Sequence, residues 1–466
     1  FAAAHLRKVL ATTSVTEDER GHLLKATQLR DSLSEHDRAL LQAIETWVGY
    51  PQDTGEVERR LALLTATHAD ADYLYQLCRF RLFSGSYARA IDACQAAHEL
   101  DSSFAGAYWL EGVSRLLLGD TPRGREALDT CLHLSNRATS CLWDFQQLTM
   151  NEGACDVALD YAQRQVDLDP QQQDLDLTRQ IAILSYAVSK PIATTRDLFE
   201  KSWELLPPNQ VQLPRAKMRT RLAILTGEFD KASEEILAWE SAVASSSAEE
   251  DHFEPFQMRA WLQRELGQET SPAFLKQAEA YLASRAAWSP SSEGDTSIEA
   301  QIALYRGNAM SHAALAAART KWLERERTEA ARRLSVARNR WIAAYANAAV
   351  TREDAVEALR ALSDYSLPPD RMRNVAADEP LGATYLKAGR TQEAIPALRR
   401  AAQSCWAADY PFHHMWAHYE LGKALESTDV HGACAAYKTV LDRWGANRNS
   451  RTAAQVRERW LALHCP

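Results

Sequence analysis

Apolar and small residues return along this chain at a fixed interval. Gly85, Gly119 and Gly153 stand 34 residues apart, a small residue follows each after five positions (Ala90, Gly124, Ala158), and an aromatic precedes each by ten (Tyr75, Trp109, Trp143). A period of this length predicts stacked helix–turn–helix units, none of which can bury its apolar face without its neighbours. With Ala71 as position 1, the first unit places a helix over Tyr73–Phe83, a turn at Gly85 and a second helix carrying Ala90, Cys94 and Ala97. The next two units begin at Ala105 and Thr139, and Pro170 falls at position 32 of the third.

The flanks follow the same beat less evenly. Before Ala71, Leu33, Leu40, Leu41 and Ile44 lie at helical spacing. Thr16 with Glu19, and Ser34 with Asp37, have the spacing of helix-opening pairs. Pro51 breaks the run and Glu56 to Leu64 supplies a short helix. Further on, Gly227 and Ala232 repeat the glycine–alanine spacing with Ile236 and Trp239 behind them, while Gly267 and Gly307 each close a first helix. Leu381, Gly382, Tyr385, Gly389, Ala394 and Leu398 make another unit, and Leu421, Gly422, Gly432, Ala433 and Tyr437 a slightly shorter one. Ser450 to His464 is an amphipathic helix without a partner, which predicts a terminal cap. Ser241–Asp251 and Ser289–Ser297 read as loops. The expected organisation is irregular helical pairs over 1–70, regular repeats over 71–240, divergent helical repeats with loops over 241–374, and final repeats with a capping helix over 375–466.

These registers resemble the tetratricopeptide repeat family, which carries small residues at positions 8 and 20, glycine at 15, a large residue at 24 and proline at 32. The resemblance implies an all-α, tetratricopeptide-like helical-hairpin superhelix, an α-solenoid, with a C-terminal capping helix. It also implies a concave binding face formed by positions 5, 9 and 12 of each first helix. Here these are Tyr75, Arg79 and Leu82; Trp109, Val113 and Leu116; and Trp143, Gln147 and Met150. Such a stripe suits an extended or helical peptide, unless residues 1–70 of the same chain fill the groove. The lysine and asparagine that family members use to clamp acidic tails are missing, since Tyr75 and Arg79 occupy those places.

The ends carry a second likeness. The run Ala26-Thr-Gln-Leu-Arg-Asp-Ser-Leu-Ser-Glu-His-Asp-Arg-Ala-Leu-Leu is similar to segments in repeat regions of bacterial regulators. Ala417-His-Tyr-Glu-Leu-Gly-Lys-Ala-Leu-Glu, Gly432-Ala-Cys-Ala-Ala-Tyr-Lys-Thr-Val-Leu, Arg443-Trp-Gly and Leu463-His-Cys resemble the tail of large myxobacterial-type serine/threonine protein kinases. That resemblance implies a kinase and a membrane span upstream, with this chain as the repeat-rich sensor region. The chain opens on Phe1 inside a helical pattern, as a piece of a longer protein would, and no kinase motif occurs within it.

Composition adds limits. At 466 residues the chain exceeds one ordinary core, with 46% hydrophobic and 25% charged residues. A net charge of −9 disfavours broad binding to nucleic acid. Arg325, Arg327, Arg332, Arg333, Arg338 and Arg340 form a basic stretch, read as a solvated helix face or a patch for phosphate or acidic peptide. No apolar run is long enough to span a bilayer. Metalloprotease, phosphate-loop, paired-cysteine and nucleophile-elbow motifs are all missing, so no catalytic residue, metal or cofactor is expected. His413 and His414 read as ordinary surface histidines.

Eight cysteines remain. Cys131 and Cys141 flank a tight turn and could bridge, and Cys434 could pin the cap through Cys465. Cys78 and Cys94, at positions 8 and 24 of one unit, face each other; Cys141 and Cys155 stand at opposite ends of a unit. Bridges and buried free thiols both fit this spacing. Bridges require an oxidising compartment, in keeping with the extracytoplasmic tether that the kinase resemblance implies. The expected function is therefore a non-catalytic sensor or scaffold region that binds a protein or peptide. The alternative is a free-standing adaptor subunit of a bacterial assembly.

Overall fold

The computed structural model describes residues 1–11, 17–48, 53–168, 175–244, 254–268, 272–285, 297–330, 340–365 and 374–466. Thr16, Pro51, Pro170, Arg332, Arg333, Arg338 and the segments 245–251 and 289–296 lie outside the described residues. Among the described residues every regular element is a helix. The fold is all-α, built of tetratricopeptide-like helical hairpins and ended by a capping helix. Two compact units divide it, Phe1–Asp144 and Phe145–Pro466.

The first unit holds α1 (Ala2–Ala11), α2 (Glu17–Gln28), α3 (Glu35–Val48), α4 (Thr54–Thr67), α5 (Ala71–Phe83), α6 (Tyr87–Leu100), α7 (Ala105–Leu118), α8 (Thr121–Leu134) and the start of α9 (Thr139–Glu152). Helices α1 to α4 form two hairpins that continue the stack ahead of α5 and α6. Helix α4 is longer than its sequence pattern suggested, because the Asp53 carboxylate accepts the Glu56 N–H and opens the helix earlier. Asp70 does the same for α5, accepting from Asp72 and Tyr73.

The second unit holds the end of α9, then α10 (Cys155–Leu168), α11 (Leu175–Ala187), α12 (Ile192–Trp203), α13 (Gln212–Leu225), α14 (Phe229–Ala244), α15 (Glu254–Glu265), α16 (Pro272–Arg285), α17 (Ser297–Arg306) and α18 (His312–Ala330). A π-helical turn at Ile342–Ala346 leads to α19 (Arg352–Ala361), α20 (Val375–Lys387), α21 (Thr391–Gln403), α22 (Pro411–Leu425), α23 (Val430–Trp444) and the cap α24 (Arg451–Ala462).

One turn design recurs. At Gly85, Gly119, Gly153, Gly227, Gly267 and Gly389 φ lies between 71° and 86°, and each of these N–H groups bonds back three residues while the following N–H bonds back five. This satisfies carbonyls that the helix end leaves open, and the left-handed backbone favours glycine. Where Gly307 was expected to make the turn, Asn308 takes the left-handed position at φ 59°. Asparagine tolerates that region better than most side chains.

Within hairpins, a small residue on the first helix receives a large one from the second. A Cβ on Gly112 would stand 2.8 Å from Leu128 Cγ, and one on Gly382 2.6 Å from Leu398 Cγ. In the hairpin α5/α6 this same pair of positions is Cys78 and Cys94, joined as a disulfide.

The second unit closes on itself. One core contains Met150, Ile224, Trp239 and Leu262 together with Leu398, Phe412, Tyr437 and Trp444. The Trp444 ring N–H donates to the Ile224 carbonyl at 2.8 Å, and the Trp406 ring N–H to Asn151 Oδ1 at 2.8 Å. Buried Asp409 accepts from Arg221 at 2.8 Å and from Arg179 at 3.1 Å. Glu265 lies at the opening of α24, accepting from the Ser450 hydroxyl at 2.6 Å and the Thr452 N–H at 2.9 Å, where the helix dipole favours a carboxylate. Helices α20 to α24 thus return onto the hairpins that open their own unit.

Candidate functional site

The expected binding face begins on α5. Tyr75 is half-buried, its ring 4.9 Å from that of Phe104. It lies over Gly106, where an added Cβ would sit 3.1 Å from Tyr75 Cε2. One repeat on, half-buried Trp109 donates its ring N–H to Asp144 Oδ2 at 2.6 Å. Tyr75 and Trp109 therefore each tie their hairpin to the next. Leu82 and Trp143 are also half-buried.

The other first-unit positions of the stripe point into packing. Arg79 is 4% exposed, Val113 6% and Leu116 1%. Leu116 fills the space left by Gly124, where an added Cβ would lie 2.7 Å from Leu116 Cγ. The Arg79 guanidinium lies 5.6 Å from the Trp47 ring and 5.0 Å from the Phe83 ring. Neither of its Nη atoms has a hydrogen-bond partner, and burial pushes its pKa down to about 10. Aromatic faces offset part of the cost of burying that charge. In the second unit, Gln147 is half-buried and donates to Gln180 Oε1 at 3.0 Å, while Met150 is fully buried. Tyr75, Leu82, Trp109 and Trp143, with Gln147, keep surface in water.

The cysteines form four bonds: Cys78–Cys94, Cys131–Cys141, Cys155–Cys405 and Cys434–Cys465, with Cα separations of 5.3, 6.6, 5.5 and 5.6 Å. Cys131–Cys141 spans the turn between α8 and α9, and Cys434–Cys465 pins the cap. Cys155–Cys405 links residues 250 apart, a partnership for which the repeat spacing offers no signal.

His413 and His414 are not surface residues. His413 Nδ1 lies 2.7 Å from Glu379 Oε2 and its side chain is 12% exposed. His414 is half-buried, and desolvation lowers its pKa to about 4, with the Arg443 charge adding to the effect. Both sit where α22 enters the seam, a tertiary contact that a local pattern does not encode. Among the described residues no cluster of three metal-ligating side chains occurs, and no helix is long and apolar enough to cross a membrane. In the basic stretch, Arg325 donates to the Ser297 hydroxyl at 3.1 Å.

No protein-family model matches the chain, and no curated protein does. Among solved structures it is similar to Naa15/Naa10 bound to HypK-THB, at 12% identity and a TM-score of 0.27, over 92% of this chain and 66% of that one. It is also similar to yeast Tom70, at 10% identity and a TM-score of 0.28, over 92% and 96% of the two chains. Likeness at this level carries no information about the site.

Proposed function

We propose that this chain is a non-catalytic region that binds a protein or peptide, acting as the sensor or scaffold of a bacterial signalling protein and joined to a serine/threonine kinase upstream. The observation that supports the binding role is that Tyr75, Leu82, Trp109 and Trp143, which the repeat register would set on one face of the first unit, are half-buried and keep surface in water. Aromatic side chains offer large contact area at little loss of conformational freedom, and they dominate the energetics of protein interfaces. The kinase connection rests on the resemblance of the C-terminal segments. Four disulfides support an oxidising, extracytoplasmic location.

The test uses the oxidised chain, immobilised and exposed to lysate of the source organism. A discrete partner should be retained, and the Trp109→Ala/Trp143→Ala variant, shown folded by near-UV circular dichroism, should lose it. Equal retention by both proteins removes the aromatic row from the reading. Coding sequence upstream of Phe1 without a kinase domain removes the signalling part and leaves the binding part to stand alone.

A further inference from the structure

The seam of the second unit holds an open cleft of about 590 Å³, within the range of small-molecule sites. Its walls come from two distant stretches, Gly153 to Ser189 and Ala402 to Arg443. The Cys155–Cys405 bond joins them at its edge.

Arg443 is the one cation of the cavity lining. Several arginines in this unit hold carboxylates: Arg221 and Arg179 bind Asp409, Arg400 binds Asp378 at 2.7 Å, and Arg459 binds Glu426 at 2.6 Å. The Arg443 guanidinium instead lies 4.7 Å from the Tyr186 ring centroid and pairs with no carboxylate among the described residues. A guanidinium set against an aromatic face is oriented and weakly hydrated, with its fork of N–H donors uncommitted.

The surroundings narrow the ligand. Val188 and Met415 give the cavity apolar surface, and the Ser189 hydroxyl and Gln403 amide supply polar contacts. The neutral His414 ring adds no charge, and the single acidic group of the lining is exposed Asp156. One cation near one carboxylate suits a monoanion, whereas a phosphate dianion needs more positive charge. A carboxylate also matches the guanidinium fork in two parallel hydrogen bonds.

We infer that this cavity is a binding site for a small organic carboxylate with an apolar body, held by Arg443 over Tyr186. The site is separate from the aromatic row of the first unit, and the failure of either leaves the other standing.

The test is calorimetry on the oxidised full chain with N-acetyl-phenylalanine and, in parallel, its amide. The acid should bind with a Kd below about 1 mM, and the amide should bind at least about tenfold more weakly, as loss of a charge-assisted pair implies. Arg443→Gln should weaken the acid as much as amidation does. Arg443→Lys keeps the charge without the fork and should fall between; unchanged melting temperatures separate these effects from unfolding. Absence of saturable binding by the acid, equal binding of acid and amide, or full affinity in Arg443→Gln each overturns the inference.

Discussion

Two glycines in the second unit make matched probes of its closure. Gly227, between α13 and α14, has φ 74°, and Gly389, between α20 and α21, has φ 82°. Alanine at either position must enter the left-handed region, at a cost of about 1–2 kcal/mol. Beyond that the two sites differ. A Cβ on Gly389 meets nothing within 4 Å, whereas one on Gly227 would stand 2.5 Å from the Arg443 carbonyl oxygen and 3.2 Å from Trp444 Cα. The obstacle is backbone at the end of α23, held in place by the fully buried Trp444 and its bond to Ile224. It has no rotamer to escape into, so overpacking adds about 1–3 kcal/mol. Gly389→Ala should therefore lose about 1 kcal/mol and Gly227→Ala about 3 kcal/mol. Urea unfolding followed by tryptophan fluorescence, with a shared slope, reads the difference as a shift in midpoint. Equal losses at the two turns would mean that α23 does not lie against the α13/α14 turn, and the closure would have to be abandoned.

Other outcomes follow from the same contacts. Cys155→Ser/Cys405→Ser opens a loop with a sequence separation of 250 and should cost about 5 kcal/mol of chain-entropy stabilisation, against about 3 kcal/mol for Cys131→Ser/Cys141→Ser with a separation of 10; denaturant midpoints of the two variants give the ranking. Asp409→Ala removes the carboxylate that Arg179 shares with buried Arg221, which keeps Glu254 at 2.6 Å, and should destabilise by about 1–3 kcal/mol in the same assay. His414 ionises at about 4 in the fold and near 6.5 when unfolded, so the unfolded chain takes up the proton first. Its contribution is complete above about pH 6.5 and is lost as pH falls toward 4, by about 3 kcal/mol in total. His418, shifted down in the same sense, steepens this decline. Stability measured from pH 7 to 4.5 should fall, and His414→Gln should flatten that slope.

The parts of this fold that were legible in the sequence are those that each repeat must solve for itself. The turn glycines are needed for a left-handed residue, and Gly112 and Gly382 for a close approach between helices. Both requirements recur with the period and leave a periodic mark. What joins non-neighbouring hairpins leaves no such mark. Trp444 reaches a backbone carbonyl at Ile224, which any residue could offer, and Cys405 finds Cys155 across the seam. Position within the repeat named Tyr75, Trp109 and Trp143 together, and all three are half-buried. It did not foresee that Arg79, Val113, Leu116 and Met150 would be buried, because burial there is set by Trp47, Gly124 and the second-unit core. The cavity at Arg443 was out of reach for the same reason, since its walls are far apart in the chain.

The most direct measurement is a peptide map of the oxidised protein digested without reductant, its free thiols blocked under denaturing conditions. The account predicts no blocked thiol and four linked pairs, among them a peptide containing Cys155 joined to one containing Cys405. Cys155 recovered as a free thiol, or joined to any other cysteine, would contradict the closed second unit.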